Sequence, residues 1–131
     1  MKKKYKQYQN AVALVKYHFV FITRRHKKVL SGDVETRLRE LLQLNCTELN
    51  VEILGLEVML DHVHLHVAAP PSLAPLQIMF RVKGSTAKVL RTEFEHLKRI
   101  PSMFTTGFFV STEEIISRED IDWYVANEVS M

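Results

Sequence analysis

Apolar residues recur along this chain in two rhythms, and the changes between them mark out its elements. From Ala11 to Arg24 the residues are rich in Val, Tyr, Phe and Ile with partial alternation, which predicts one long strand. Behind a start signal at Ser31-Gly32-Asp33, residues Val34, Leu38, Leu41, Leu42, Cys46 and Leu49 return at spacings of three and four, the stripe of an amphipathic helix. Val51 to Met59 and His62 to Ala68 are apolar runs parted by Leu60-Asp61, a connection short enough to close a β-hairpin. Pro70-Pro71 ends the second run, because proline brings no N–H to a strand ladder. Ser72 and Pro75 open a second helical stripe through Leu76, Met79, Phe80, Ala87, Leu90 and Phe94 that tolerates Gly84, and Phe104 to Ser111 reads as another strand. Ser117 with Asp120 supplies a cap and an acidic first turn for a short last helix, which lines up Ile121, Tyr124, Val125 and Glu128.

The order is β-α-β-β-α-β-α. Its first six elements predict an α+β, ferredoxin-like βαββαβ fold, an antiparallel sheet covered by two helices, with the C-terminal helix as an addition. At 131 residues the chain makes one domain, 1–131, and is too short for a multidomain enzyme or a (β/α)₈ barrel. No apolar run approaches the ~18 residues that span a bilayer, and the lysine-rich start has no signal-peptide core, so no membrane partner and a cytoplasmic location are expected. The single cysteine, Cys46, cannot form an internal disulfide and reads as a small buried hydrophobe.

Net charge is +3, unevenly spread. Lys2, Lys3, Lys4, Lys6, Lys16, Arg24, Arg25, Lys27 and Lys28 meet no acid before Asp33, and Arg81, Lys83, Lys88, Arg91, Lys98 and Arg99 form a second set. Glu113, Glu114, Glu119, Asp120, Asp122 and Glu128 reverse the sign near the end. Charge alone leaves a phosphate-binding surface and an ordinary solvated one equally open.

Candidate chemistry concentrates at Asp61-His62-Val63-His64-Leu65-His66. Period-two spacing puts the three imidazoles on one strand face, ~6–7 Å apart along it, where two can converge on one cation if another element completes the shell. Histidines hydrogen-bonded along a half-polar face are the structural alternative. Imidazole suits Zn, Cu, Fe or Ni, while added carboxylate oxygens move the preference toward Mn or Mg. On the last helix, Tyr124 and Glu128 stand four apart and point the same way. A tyrosine can serve as a covalent nucleophile beside a metal, although such a pair is also common packing.

These residues, taken together, resemble the small single-tyrosine HUH transposases of the insertion-sequence 200/605 family. The resemblance covers nearly the whole chain: Tyr17-His18-Phe19-Val20-Phe21 with Arg24-Arg25 and His26, Glu57-Val58-Met59-Leu60-Asp61-His62-Val63-His64-Leu65, Lys83-Gly84-Ser85-Thr86-Ala87, and Tyr124-Val125-Ala126-Asn127-Glu128. Leu60 stands where the family usually has proline, and Glu128 where it commonly has glutamine. The resemblance implies a DNA transposase that cleaves and rejoins single strands at hairpin-marked ends through a 5′-phosphotyrosine. Tyr124 would be the nucleophile, and His62, His64 and Glu128 the ligands of Mg²⁺ or Mn²⁺. His64-Leu65-His66 also satisfies the histidine pattern, so His66 stays an alternative ligand. The resemblance further implies a homodimer with active sites shared between subunits, bound to single-stranded DNA hairpins. Charge clustering nominates Arg24, Arg25, Lys27, Lys28, Arg81, Lys83, Lys88 and Arg91 as DNA contacts. Other readings are a non-catalytic nucleic-acid-binding module of the same fold and a small metal-dependent hydrolase.

Overall fold

The computed structural model describes residues 5–128, so Lys2, Lys3 and Lys4 of the N-terminal basic run lie outside it. A small hairpin of β1 (Lys6–Tyr8) and β2 (Ala11–Ala13) precedes β3 (Lys16–Ile22), α1 (Gly32–Glu48), β4 (Glu52–Val58), β5 (His62–Ala68), α2 (Pro75–Glu93), β6 (Phe109–Ser111) and α3 (Arg118–Asn127). The four long-range strands form one antiparallel sheet in the order β4-β5-β3-β6. That is the strand order of the predicted ferredoxin-like unit, with α3 appended.

The expected long strand from Ala11 to Arg24 is in fact two. β3 pairs with β5 as far as Lys16 opposite Ala68, and Pro70-Pro71 beyond has no N–H with which to extend the ladder. Residues 11–13 therefore pair with β1, a strand the sequence pattern did not suggest. The strand expected from Phe104 to Ser111 also shortens, to Phe109–Ser111 with one isolated bridge between Thr23 and Phe104. Its missing half has another partner: the Lys83 ammonium donates to the carbonyls of Thr105 and Gly107 at 2.7 and 2.8 Å.

The hairpin of β4 and β5 closes as expected around Leu60-Asp61, with Met59 N–H donating to the His62 carbonyl at 2.9 Å. α1 ends at Asn50, whose left-handed φ of 60° lets Val51 N–H return to the Cys46 carbonyl at 2.8 Å. α3 begins with the reciprocal cap read from Ser117 and Asp120.

Alternation along β3 and β5 gives the sheet two unlike faces. Phe19, Phe21, Val63, Leu65 and Val67 are fully buried and join Leu38, Leu42, Ile78, Val82 and Leu90 of the two long helices in one core. Cys46 lies in that core, its thiol pushed up to about 11 by burial, which leaves it an inert hydrophobe as expected. The opposite face carries His62, His64 and His66. Among the described residues no helix is long and apolar enough to cross a membrane.

Replacing Leu65 with Ala should cost about 2–5 kcal/mol, because the cavity would open at the centre of the core. Phe80→Ser, on a side chain 83% exposed, should change stability by no more than about 0.5 kcal/mol. Urea unfolding of both variants checks this contrast, and equal losses would mean that the two faces are wrongly assigned.

Candidate active site

Antiparallel pairing of β3 with β5 sets His18 opposite His66, Val20 opposite His64 and Ile22 opposite His62. Directly paired residues share a face, so four imidazoles stand together on the side away from α1 and α2. Their hydrogen bonds differ. His62 Nδ1 faces Asp61 Oδ1 at 2.8 Å, while its Nε2 is buried with no partner. A carboxylate on Nδ1 fixes the tautomer that leaves Nε2 as a bare lone pair, the arrangement that orients metal-binding histidines. Asp61 also reaches His26 Nδ1, at 3.6 Å.

His64 has both nitrogens occupied. Its Nε2 lies 2.9 Å from His18 Nδ1, and its Nδ1 3.4 Å from Glu57 Oε1. The His18 ring stacks on that of His66, with centroids 3.9 Å apart and planes within 7°. Burial, then the neighbouring His18, Lys16 and His64, bring His66 down to about 4, so it is neutral at ordinary pH. His64 is lowered as well, mainly by burial, with Glu57 opposing the shift.

α3 lies across this face. Its first residue, Arg118, approaches Glu57 Oε2 of β4 at 3.6 Å, and the ring of Tyr124 packs on Phe109 of β6 with centroids 5.7 Å apart. His64, Val20 and Phe109 form one row across three strands. Adjacent strands are ~4.8 Å apart, so Tyr124 rests roughly two strand spacings from His64. Tyr124 and Glu128 meet instead at Gly107, where an added Cβ would stand 3.5 Å from Glu128 Oε1 and 3.8 Å from the tyrosine hydroxyl. The hydroxyl and Glu128 Oε2 are buried without partners. Burial first, and Glu128 second, push the phenol up to about 12.

The basic candidates separate into two groups. Arg24, Arg81, Lys83, Lys88 and Arg91 line a groove of about 720 Å³ between α2 and the chain before β6, whereas Arg25, Lys27 and Lys28 do not line it. Within the groove Lys83 is committed to two carbonyls, and Arg91 donates to the Ile100 carbonyl at 2.8 Å. Arg81 pairs with Glu48 at 2.7 Å, and Arg24 Nε donates to Ser102 Oγ.

Residues 11–128 match the family model described as "Transposase IS200 like". The chain belongs to the IS200-like transposase family. The transposase for insertion sequence element IS200 of Salmonella typhimurium is 29% identical over 100 residues, covering 74% of this chain and 66%, just under two thirds, of the relative. The ISDra2 transposase TnpA of Deinococcus radiodurans is 25% identical over 117 residues, 87% of this chain and 84% of that one. A crystal structure from Deinococcus radiodurans, described as of a transposase, superposes with a TM-score of 0.87 at 27% identity, over 96% of this chain and 99% of the other. A REP-associated tyrosine transposase bound to a REP hairpin shares the fold with a TM-score of 0.54 at 16% identity, over 92% of this chain and 68% of the other.

Does this IS200-like transposase hold a divalent ion with the residues as they stand? Within one chain they do not fit it. His62 offers a lone pair and Glu128 an oxygen, but His64 Nε2 is taken by His18, and Glu128 sits beside Gly107. Among the described residues no group of three His, Cys, Asp or Glu side chains is placed to hold a metal. His18 was not a candidate ligand in the sequence, although its place in Tyr17-His18-Phe19 and its period with Val20 and Ile22 put it on this face once β3 and β5 are neighbours.

Lys83 generates a pH prediction. Burial brings its amine from 10.5 down to about 8, with Glu128 opposing the shift. A neutral amine still has two hydrogens for two carbonyls. In the unfolded chain the amine stays protonated until about 10.5, so between pH 8 and 10.5 the unfolded state binds more protons and stability rises with pH. The urea midpoint of the wild type should therefore gain on that of Lys83→Met across this window; a constant difference would contradict the buried placement of the amine.

Proposed function

We propose that this chain cleaves and rejoins single-stranded DNA at hairpin-marked element ends by transesterification, with Tyr124 as the nucleophile. The observation that carries the reading is the Tyr124 hydroxyl, buried without a partner beside Glu128, on a helix laid over a face of imidazoles in a chain of the IS200-like family. The Tyr124 oxygen would attack the scissile phosphorus. The phosphorus–tyrosine bond forms, the bond to the 3′ oxygen breaks, and that oxygen leaves as a 3′-hydroxyl after taking up a proton. One phosphodiester replaces another, so the linkage retains the bond energy, and a 3′-hydroxyl from a second strand can reverse the step without a nucleotide cofactor.

A phenol held near 12 is a poor nucleophile at rest. Tyr124 must leave its seat on Phe109 before it reacts, in a surrounding that stabilises the phenolate.

His62 and His64 are the ligands this reading assigns to Mg²⁺ or Mn²⁺, and Glu128 the third. The hydrogen bond from Asp61 favours His62 in the first register over the pair His64 and His66. Since one chain does not bring the three together, the proposal includes a homodimer in which α3 of each subunit serves the histidine face of the other. The solved relative with a DNA hairpin supports a hairpin as the nucleic-acid partner, and the basic groove beside α2 offers it phosphate contacts that should weaken with salt.

Tyr124→Phe removes one hydroxyl that has no partner, so folding and hairpin binding should survive while covalent attachment to single-stranded DNA disappears. Denaturing gels with labelled substrate and Mg²⁺ or Mn²⁺ test this. Equal adduct in variant and wild type would exclude Tyr124 as nucleophile, and hairpin binding with no adduct in either protein would leave the non-catalytic binding module.

A further inference from the structure

His18 stands between two parts of the site that belong to different segments. Its Nδ1 is 2.9 Å from His64 Nε2. Its Nε2 is 3.0 Å from the carbonyl of Glu114, in the connector 112–117 that leads into α3. The ring is 6% exposed and held flat against His66, so it has little freedom to serve one partner and ignore the other.

The bonding follows from the donors and acceptors present. A carbonyl oxygen only accepts, so His18 Nε2 carries a hydrogen and donates it to Glu114. His18 Nδ1 and His64 Nε2 then share one hydrogen. If it sits on His64, Nε2 has no lone pair to give. If it sits on His18, the lone pair of His64 Nε2 is already used in accepting it. In either arrangement the His18 bond and a metal bond at His64 Nε2 exclude each other.

We propose that His18 is a positioning residue that keeps His64 closed to metal while the connector to α3 is docked, and that metal binding at His64 releases His18 and with it the connector. The inference rests on the reading of His64 as a metal ligand. Two events then share one imidazole: capture of the ion by the histidine strand, and freeing of the helix that carries Tyr124 and Glu128. Because the link is thermodynamic it runs both ways, and an undocked connector makes the metal bind more tightly. Glu57, 3.4 Å from His64 Nδ1, would hold the ring in place when His18 lets go.

The test titrates Mn²⁺ into the whole chain without DNA, by calorimetry or by the electron paramagnetic resonance signal of free Mn²⁺, for wild type, His18→Phe and His62→Ala. Phenylalanine keeps the stack on His66 and removes both hydrogen bonds, and His18→Leu is the second variant should His18→Phe not fold. His18→Phe should bind Mn²⁺ roughly two- to tenfold more tightly than wild type, the factor of one net hydrogen bond, and His62→Ala should lose binding. Hydrogen exchange gives a readout that simple loosening would not move. In wild type, Mn²⁺ should speed exchange of amides in 112–117; in His18→Phe those amides should exchange fast with or without the ion. Affinity in His18→Phe equal to or weaker than wild type, with His62→Ala still losing Mn²⁺, would overturn the role of His18 alone. Connector exchange in wild type that ignores Mn²⁺ would do the same. His62→Ala binding Mn²⁺ like wild type would overturn the histidine-site reading and this inference with it.

Discussion

The pairing of β3 with β5 over Lys16–Ile22 and His62–Ala68 fixes both faces of the sheet at once, and the rest of the molecule is arranged around it. Side chains alternate with a period of two, so a slip of one residue would drive His62, His64 and His66 into the core and turn Val63, Leu65 and Val67 outward. Burying three imidazoles among Leu38, Leu42 and Ile78 without partners would cost several kcal/mol. The apolar face against α1 and α2 therefore sets the register, and the register sets the imidazole cluster. His18 joins that cluster for the same reason: it sits opposite His66, one strand away.

The two sides of the sheet communicate at its β6 edge. Lys83, a residue of α2, holds the carbonyls of Thr105 and Gly107, and Gly107 is the surface on which Tyr124 and Glu128 rest. The same contacts take residues 105–107 away from the strand ladder and leave β6 three residues long. Tyr124 and Glu128 thus have a seat on the protein that differs from the position their proposed chemistry demands. Such an arrangement suits a helix that docks in more than one place. The cost of the resting seat is visible in the unpartnered Tyr124 hydroxyl and Glu128 oxygen.

Much of this was legible in the chain itself. The three-and-four spacing of α1 and α2, the turn at Leu60-Asp61 and the cap at Ser117 are local signals, and local signals survive folding. The break between β2 and β3 was not legible, because it depends on where a partner strand ends, at Pro70-Pro71. The shortening of β6 depends on an amine 22 residues earlier in the sequence, that of Lys83. At the site, alternation placed His62, His64 and His66 on one face, and a spacing of four placed Tyr124 with Glu128. Their separation across the sheet required strand order and helix docking, both of which are tertiary. So did the hydrogen bond of His18, since pattern alone does not say which strand will lie beside another.

The central claim is that a complete site needs the histidine face of one chain and the α3 of another. Mixing a His64→Ala chain with a Tyr124→Phe chain, each inactive alone, tests it directly, with differently tagged subunits to confirm exchange. If sites are shared, mixed dimers contain one intact site of two, and random exchange should restore about a quarter of wild-type strand cleavage. No recovery despite confirmed exchange would show that each site is built within a single chain and would contradict the account.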